Sequence, residues 1–556
     1  MAHKVSVKKI DWDGIANELE SIEKPKNPKS NRVYVIGAAY IGILLLFTSL
    51  NITILAQTPS GFPTVIEPGS MVSDATFIIF TDGTTYYAKN GMTGAIAFES
   101  LNCSFVIQSC IDSLAPNGRL TLHQGIYHIN WMITMRSGTI FEGQGRSNTQ
   151  LIIDDSVPIG ILIMEAQTIS LKHFSLGGAG VHNSIGIDVN SSARSDPMEY
   201  GYTNLQITIE DIQIWAFGQA IKLFRTYDSL LHNIWISSCY NGLNITGFSM
   251  NNVISSFTIN SCNETAISLG KLLHANEGIY FMGGSCTFDT VVFEITGGNT
   301  IGFTNVNFES PNGGEAYRLY GGPLYKIVFT ECDFFIPYVS GSMVIQPRTD
   351  YVPGYGIDGD QGSTMVDNIW FIDCLIARFG DWGVKVLPAL DPSGDYQYCQ
   401  NISFMQTRFA ENGAIGGGGD IWLEDAKNVS FIGVTFASGP HTGVIQANIA
   451  EYGDCSGIKI VGCAFMNTGA EIDPIIPGAN IFSANDGFVT ENSGIVEIVS
   501  SDTITFNHNL SITPTIVLLS FNSTAFTSYT WSATSTDITV DVETSGYYEV
   551  IWYAKY

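Results

Sequence analysis

Three phrases in the second half of the chain repeat one pattern: NISFMQTRF at 401–409, NVSFIGVTF at 428–436 and GIKIVGCAF at 457–465. In each phrase apolar residues alternate with others, and a phenylalanine ends the phrase. Alternation with a period of two indicates β-strands that bury one face. A phrase that recurs along the chain indicates a solenoid, in which each copy forms one coil and stacks on the next.

Weaker copies of the phrase extend the repeat toward the N-terminus, as in TIGFTNVNF at 300–308 and NIWFIDCLI at 368–376. The residue two places before the last apolar residue forms a predicted interior column of Cys286, Val306, Cys332, Cys374, Thr407, Val434 and Cys463. The intervals are 20, 26, 42, 33, 27 and 29 residues. Because one coil needs roughly 20 residues, the longer intervals must contain loops. We expect about a dozen coils between Leu120 and about Phe482.

The start of the repeat carries a family resemblance. An amphipathic helix is predicted over 98–114, and PNGRLTLHQGIYHINWMITMRSGTIFEGQGRSNTQLII follows at 116–153. The matching positions are Gly118, Leu120, Leu122, Gly125, Tyr127, Ile129, Gly143, Gly145 and Thr149. This opening resembles that of the pectate-lyase-like superfamily, and the resemblance implies a mainly β protein with a single-stranded right-handed parallel β-helix over 98–488. It says little about activity, since lyases, hydrolases, epimerases and viral tailspikes share the fold.

Six of the ten cysteines fall at what we interpret as one point of the coil: Cys239, Cys262, Cys286, Cys332, Cys374 and Cys463. We predict a column of small buried side chains, because free cysteine packs like a small hydrophobe. Rungs about 4.8 Å apart with parallel Cβ vectors disfavour disulfides between neighbouring coils. A zinc site is disfavoured because the chain contains no C-x-x-C motif.

The N-terminal region predicts a membrane anchor. Residues 33–56, VYVIGAAYIGILLLFTSLNITILA, carry no charge over 24 residues, and a helix of that length spans about 36 Å, enough for a bilayer core of about 30 Å. Basic residues in 1–32 flank its N-terminal side, which predicts an internal N-terminus. A buried soluble helix and a helix packed in a filament core are the alternatives. Residues 57–97 are interpreted as a stalk and lead-in.

The C-terminal region, 489–556, predicts a small antiparallel β-sandwich because its strands are separated by polar turns. It resembles the C-terminal modules of phage and archaeal-virus fibre and spike proteins. The matching positions are Phe506, His508, Leu510, Pro514 and Thr515, then Tyr548, Val550, Trp552, Tyr553 and Ala554.

The charge balance limits the partners. Removing the seven basic and five acidic residues of 1–32 from totals of 25 and 52 leaves 18 basic and 47 acidic residues. Such a surface repels phosphate backbones, so a nucleic-acid partner is not expected. The sequence motifs that polygalacturonase-like hydrolases share are missing, apart from a pair of aspartates at Asp154-Asp155. No arginine is expected in an acidic cluster, except Arg348 near Asp350.

Carboxylates next to tryptophans are the predicted ligand contacts: Asp381, Trp382, Asp420, Trp422 and Glu424. Tryptophan rings stack on sugars, and carboxylates accept hydrogen bonds from the hydroxyl groups of the sugars. Trp422 should point outward if Ile421 and Leu423 are core residues. A surface aromatic that only covers a neighbouring coil is the alternative, and a catalytic carboxylate pair is a third reading.

The long loop over 348–367 is interpreted as a binding lip, with Tyr351 and Tyr355 as ligand contacts. Asp358 and Asp360 resemble part of a calcium loop, although the closing acidic ligand is missing. A solvated loop is the alternative, and no other cofactor is expected. Asn-x-Ser/Thr motifs make the chain compatible with glycosylation.

Together these features favour a single-pass membrane protein with its bulk exposed on a cell or virion surface. We expect a spike or adhesion protein of an archaeal virus or archaeal envelope that binds a surface glycan or receptor. Its expected partners are membrane lipid through 33–56, other envelope or capsid proteins, and a further copy of itself. The alternative is an anchored polysaccharide lyase or glycoside hydrolase on the same scaffold.

Overall fold

A computed structural model describes residues 75–191, 204–270, 276–311, 314–321, 324–336, 340–347, 366–390, 396–413, 418–437, 448–466, 481–483, 491–507, 514, 516–521, 529–534 and 537–555. The described chain is almost entirely β-structure with one helix. The predicted anchor at 33–56 lies outside the described residues. Within them, no helix has the length and apolar character needed to cross a membrane.

A hairpin and a helix precede the first full coil. The elements are β1 (Phe77–Thr81), β2 (Tyr86–Asn90), β3 (Ile96–Ser100) and α1 (Cys103–Ser113). β1 and β2 pair antiparallel, whereas β1 and β4 (Arg119–Leu122) pair parallel. The side chain of Asn102 caps α1 by accepting from the Phe105 N–H. The helix buries Cys103, Ile107, Cys110 and Ile111, and it starts five residues later than the predicted 98 because 96–100 forms β3.

The coils of the β-helix follow. Their strands are β5 (Gly125–Ile129), β6 (Ile133–Met135), β7 (Ile140–Glu142), β8 (Thr149–Ile153), β9 (Ile159–Met164), β10 (Gln167–Gly177), β11 (Ile185–Asn190), β12 (Asn204–Trp215), β13 (Gln219–Phe224), β14 (Thr226–Tyr227), β15 (Leu230–Ser237), β16 (Asn241–Thr246), β17 (Met250–Asn260), β18 (Thr265–Leu269), β19 (Asn276–Thr287), β20 (Val291–Ile295), β21 (Gly298–Glu309), β22 (Gly314–Tyr320), β23 (Leu324–Thr330), β24 (Asp333–Phe335), β25 (Gly341–Gln346), β26 (Val366–Ile372), β27 (Leu375–Ala377), β28 (Val384–Val386), β29 (Ala389–Leu390), β30 (Tyr396–Gln397), β31 (Cys399–Met405), β32 (Arg408–Ala410), β33 (Ile421–Glu424), β34 (Ser430–Ile432), β35 (Thr435–Ala437), β36 (Ile449–Tyr452), β37 (Lys459–Val461), β38 (Ala464–Phe465) and β39 (Ile481–Ser483).

One wall of the β-helix is a 12-stranded parallel sheet that runs from β6 to β36, one strand per coil. We call it the front sheet. The other walls belong to a 25-stranded sheet in which strands of successive coils also pair parallel. The predicted parallel β-helix is therefore confirmed, and twelve front strands agree with the expected dozen coils.

Left-handed residues form a column, with one residue from each coil, at a corner that the long strands turn. His173, Asp211 and Asn233 have φ values of 58, 52 and 53°, and they lie level because Lys172 pairs with Glu210 and Glu210 with His232. The same column continues through Ser256, Asn305, Glu331, Asp373 and Gln406. A single left-handed residue redirects the chain while its neighbours stay in the parallel ladder.

A phenylalanine ladder fills the later coils. Phe281, Phe303, Phe329, Phe371, Phe404 and Phe431 are consecutive in register and fully buried. Neighbouring ring centroids are 4.6–5.2 Å apart with interplanar angles of 4–11°. The strand spacing of about 4.8 Å imposes this distance, because identical side chains in register must stack at the rung repeat.

The predicted column is correct in its later part and wrong in its earlier part. Strand pairings put Val306, Cys332, Cys374, Thr407, Val434 and Cys463 at one level, and all six are buried. Cys286 instead lies level with Phe308, while Gly284 lies level with Val306. A slip of two residues keeps side chains pointing inward, so alternation alone does not fix the register.

All ten cysteines are buried and free, which confirms small buried side chains over disulfides. The prediction that six of them share one point of the coil is wrong, because Cys286 lies level with Ile236 and Ile259, three residues before Cys239 and Cys262. Burial raises the thiol pKa of Cys239 to about 11 and that of Cys110 to about 12. Such thiols are protonated and unreactive at neutral pH.

The C-terminal region is antiparallel, as predicted. β40 (Glu491–Asn507), β41 (Ile516–Phe521) and β42 (Tyr529–Ala533) all pair with β43 (Asp537–Lys555). Ile538, Val540, Val550 and Trp552 form its small core. The described strands make one four-stranded sheet, and the sandwich stays a prediction.

Candidate functional site

The outer face of the front sheet carries the predicted tryptophan region. In β33, Ile421 and Leu423 are fully buried, and the alternate residues Trp422 and Glu424 are half-buried on the opposite face. The outward orientation expected for Trp422 is therefore confirmed. Trp422 lies level with Lys385 of β28 and with Ala450 of β36.

Three aromatic rings meet on this face, and we call Trp382, Trp422 and Tyr452 the aromatic cluster. The Trp422 and Tyr452 rings stack with centroids 3.9 Å apart and an interplanar angle of 16°. The Trp382 ring meets Trp422 edge-on at 5.3 Å and 73°. Tyr452 is 39% exposed and Trp382 only 4%. Trp382 therefore supports the cluster from below, and Trp422 and Tyr452 form its accessible part.

Two half-buried carboxylates border the cluster. Asp381 forms an ion pair with Lys385, whose side chain is 27% exposed. Glu424 accepts a hydrogen bond of 3.3 Å from the indole Nε1–H of Trp422. Each carboxylate thus fixes a neighbour, Asp381 the ammonium group and Glu424 the indole ring.

The structure corrects the expectation that Asp420 lies on the surface. Asp420 is fully buried, and its carboxylate accepts from Asn412 Nδ2 at 2.8 Å and from Asn448 Nδ2 at 2.7 Å. Asn412 in turn accepts from the Phe379 N–H at 3.1 Å. A buried carboxylate is stable only when hydrogen bonds satisfy it. Asp420 therefore anchors the start of β33 and contacts no ligand directly.

The three carboxylates have separate surroundings. Asp420 is enclosed by asparagines, Asp381 is neutralised by Lys385, and Glu424 holds an indole. Glycosidase chemistry needs one carboxylic acid and one carboxylate facing the same bond. These three carboxylates are thus each engaged with a different partner, and Glu424 orients the Trp422 ring.

The predicted lip residues Tyr351, Tyr355, Asp358 and Asp360 lie outside the described residues, so both the lip and its calcium loop stay predictions. Among the side chains that the structure does describe, no group of three or more His, Cys, Asp or Glu residues is arranged to hold a metal ion.

Sequence reasoning missed Tyr452, Lys385 and Asn412. A signal for Tyr452 exists, because DIWLED at 420–425 aligns with NIAEYG at 448–453. That alignment matches Asp420 with Asn448 and Glu424 with Tyr452, and the register of β33 with β36 follows the same alignment. Sequence reasoning also missed an ion pair between coils, in which Arg146 Nε lies 3.1 Å from Asp211 Oδ1. Asp211 is 65 positions later in the chain, so no local motif links the two residues.

The fold defines the chain as a parallel β-helix protein. No protein-family model matches it, and no curated protein sequence matches it either. It is similar to the catalytic domain of a GH87 α-1,3-glucanase variant in complex with tetrasaccharides, with 15% identity, a TM-score of 0.46, and coverage of 64% of this chain and 67% of that one.

Two further solved structures share the fold. The A-module of the mannuronan C-5 epimerase AlgE4 of Azotobacter vinelandii has 12% identity and a TM-score of 0.41, with 68% and 96% coverage. PfbA, a surface adhesin of Streptococcus pneumoniae, has 13% identity and a TM-score of 0.41, with 64% and 88% coverage. At these identities the similarity concerns the fold alone.

Proposed function

We propose that this chain is a surface adhesion protein that binds a glycan through the aromatic cluster on its front sheet. The observation that carries the proposal is the stack of Trp422 on Tyr452, with Tyr452 39% exposed on a rigid parallel sheet. Because the two rings cover each other's facing sides, the outer side of the more exposed ring, Tyr452, is the apolar surface that can meet the C–H groups of a pyranose. Buried Trp382 and the Asp420 network keep that surface in place before a ligand arrives.

The rim of the cluster has the polar groups that a sugar requires. Lys385 supplies N–H donors, and Asp381 and Glu424 supply acceptors. Sites for small ligands combine an apolar surface with a few polar groups in this way. A polysaccharide lyase or glycoside hydrolase on the same scaffold is the competing function, and release of shortened products would distinguish it.

In this proposal the β-helix is a stiff shaft that holds the aromatic cluster away from a membrane. The uncharged segment 33–56 with its basic N-terminal flank is the proposed anchor, and membrane lipid is its partner. The C-terminal sheet, 491–555, is the proposed contact with other envelope or capsid proteins. An archaeal virion or archaeal envelope is the proposed location.

The orientation is tested by protease shaving of intact cells or particles that display the full chain. We expect fragments from residues beyond 57 to be released while 1–32 stays protected. Release of 1–32 with protection of the remainder would reverse the topology and exclude a surface role.

Glycan binding is tested with the full chain in nanodiscs on a glycan array, followed by titration of the best neutral oligosaccharide. Trp422→Ala and Tyr452→Ala should each weaken binding by about 5- to 10-fold, since an aromatic contact contributes roughly 1 kcal/mol. Trp131→Ala is the matched control, because Trp131 is 42% exposed and lies in an early coil. Equal affinities for Trp422→Ala and the wild type would overturn the proposal.

A further inference from the structure

A group of charged side chains and one tryptophan lies on another wall, at the corner of the early coils. His173 comes from β10, Asp211 from β12, and Asn233 and Trp235 from β15. Arg146 reaches them from the turn between β7 and β8. We call Arg146, His173, Asp211 and Trp235 the corner cluster.

Asp211 organises the corner cluster. Its carboxylate accepts from Arg146 Nε at 3.1 Å, from His173 Nδ1 at 3.0 Å and from Asn233 Nδ2 at 2.8 Å. His173, Asp211 and Asn233 are the left-handed corner residues of three successive coils. The backbone therefore stacks these three side chains at one corner, and their positions are set by the fold.

The hydrogen bonds to Asp211 leave the outward donors of the cluster unused. Arg146 contacts Asp211 through Nε, and no described residue accepts a hydrogen bond from its two terminal nitrogens. The guanidinium carbon lies 5.8 Å from the centroid of the Trp235 ring, and Trp235 is 43% exposed. A planar fork of N–H donors thus lies over part of an indole ring that is otherwise exposed.

Each cation around the corner cluster has a carboxylate partner, since Arg146 pairs with Asp211 and Lys172 with Glu210. Lys172 Nζ lies 2.7 Å from Glu210. The pKa of Glu210 is lowered first by that hydrogen bond and further by the charges of Lys172, His173 and His232. The net charge of −27 repels anions at long range, but salt screens such repulsion beyond about 8 Å. An anion at the corner cluster would therefore interact mainly with the groups nearest to it, among them the terminal nitrogens of Arg146.

We propose that the corner cluster is a second glycan site, specific for an anionic sugar whose carboxylate or sulfate group binds the terminal nitrogens of Arg146 while its ring stacks on Trp235. Two parallel N–H donors match a planar carboxylate, and a charge-assisted pair is stronger than a neutral hydrogen bond. The ligand class rests on the proposed glycan-binding function, but the residues are separate from the aromatic cluster.

The test uses the full chain in nanodiscs and three probes: hexagalacturonate, its fully methyl-esterified form and a sulfated cello-oligosaccharide. Arg146→Ala should weaken binding of the charged probes by about tenfold or more, because the variant loses hydrogen bonds to a charged group. The weaker binding of the methyl ester should not change in Arg146→Ala. Trp235→Ala should weaken all three.

Arg146→Lys separates the two anion sources. Lysine keeps the charge but loses the planar fork, so it should retain binding of the sulfated probe better than that of hexagalacturonate. Exposed Arg408 provides a matched control, and Arg408→Ala should bind like the wild type. Thermal midpoints of all variants establish that each one folds.

The outcomes separate this site from the aromatic cluster. Loss of hexagalacturonate binding in Arg146→Ala and Trp235→Ala, with retention in Trp422→Ala, supports the corner cluster. Loss of hexagalacturonate binding in Trp422→Ala alone would overturn the proposal that the corner cluster binds an anionic sugar. It would leave the proposed function of the aromatic cluster intact. If Arg146→Ala and Arg408→Ala lost hexagalacturonate binding equally, the effect would come from net charge alone. That result would also overturn the proposed site at the corner cluster.

Discussion

The early coils, 140–260, and the late coils, 366–465, share one backbone plan and differ in what fills it. In the early coils the inward ladder is aliphatic from Leu171 onward, with Ile209, Leu231 and Ile254 in register. In the late coils the same ladder is aromatic, with Phe371, Phe404 and Phe431 stacked at 4.9–5.2 Å. The parallel ladder fixes the direction of each side chain and leaves its identity free.

The outer surfaces of the two regions differ in a corresponding way. The early coils carry the charged corner cluster, whereas the late coils carry the aromatic cluster on the front sheet. A solenoid allows this because each coil contacts only its neighbours, so a site can arise on one wall without repacking a distant one. The two regions are therefore expected to respond differently to mutation and to pH.

The largest effect is expected in the interior of the late coils. Val434→Asp places a carboxylate in a fully buried column, and an unpaired buried charge costs several kcal/mol, comparable with a net stability of about 5–15 kcal/mol. We expect loss of cooperative folding in thermal melting. Ile432→Asp is the control, because Ile432 is 46% exposed. If the Val434→Asp protein melted cooperatively, the side chain of residue 434 would not lie in the interior column.

A second effect separates the aromatic and aliphatic ladders. Phe371→Ala should lower the free energy of unfolding by about 3–5 kcal/mol, because it leaves a cavity between two stacked rings. Ile209→Val in the early coils should cost only about 0.5–1.5 kcal/mol. Denaturant unfolding measures both values. Similar costs for the two changes would mean that the ladder rings collapse into the gap.

The third effect concerns pH and Asp289, which lies between the two regions. Burial raises the pKa of Asp289 from 3.8 to about 7, and hydrogen bonds from Cys262 oppose the rise. A raised folded-state pKa means that the native state holds the proton more tightly than the unfolded chain. The resulting stability is complete below about pH 4 and is lost as pH rises through about 7. The contribution is at most on the order of 4 kcal/mol.

Asp289→Asn should therefore raise the thermal midpoint at pH 8 and leave it nearly unchanged at pH 4. Exposed Asp454 gives the matched control, Asp454→Asn. Repulsion among the many acidic residues should act in the same direction, so the wild type should melt no lower at pH 4 than at pH 7. A substantially lower midpoint at pH 4 would contradict both arguments.

The smallest effect is expected within the aromatic cluster. The stack of Trp422 on Tyr452 should couple the two residues by about 0.5–1.5 kcal/mol. A double-mutant cycle with Trp422→Ala and Tyr452→Ala, measured by denaturant unfolding, gives this energy. Additive single and double mutants would mean that the rings are neighbours without mutual stabilisation, in contrast to the phenylalanine ladder.

Much of the candidate site depends on contacts that local patterns do not contain. Trp422 was predicted to point outward because its neighbours Ile421 and Leu423 alternate with it. Asp420 has the same parity as Trp422, so alternation also predicts an outward carboxylate there. The structure buries Asp420 because Asn412 and Asn448, from other turns of the coil, supply its hydrogen bonds.

The sequence by itself determined the class of fold, the alternation of inward and outward faces along the strands and the burial of the six cysteines assigned to the coils. A period of two is a local property, and a free cysteine packs like its apolar neighbours wherever a coil is closed. Tertiary structure alone decided which residues lie level in neighbouring coils. Loops of unequal length change the sequence distance between residues that stack about 4.8 Å apart, so local patterns do not fix the register of the coils. The register separates Cys286 from Val306. It also places Tyr452 on Trp422 and brings Arg146 to Asp211.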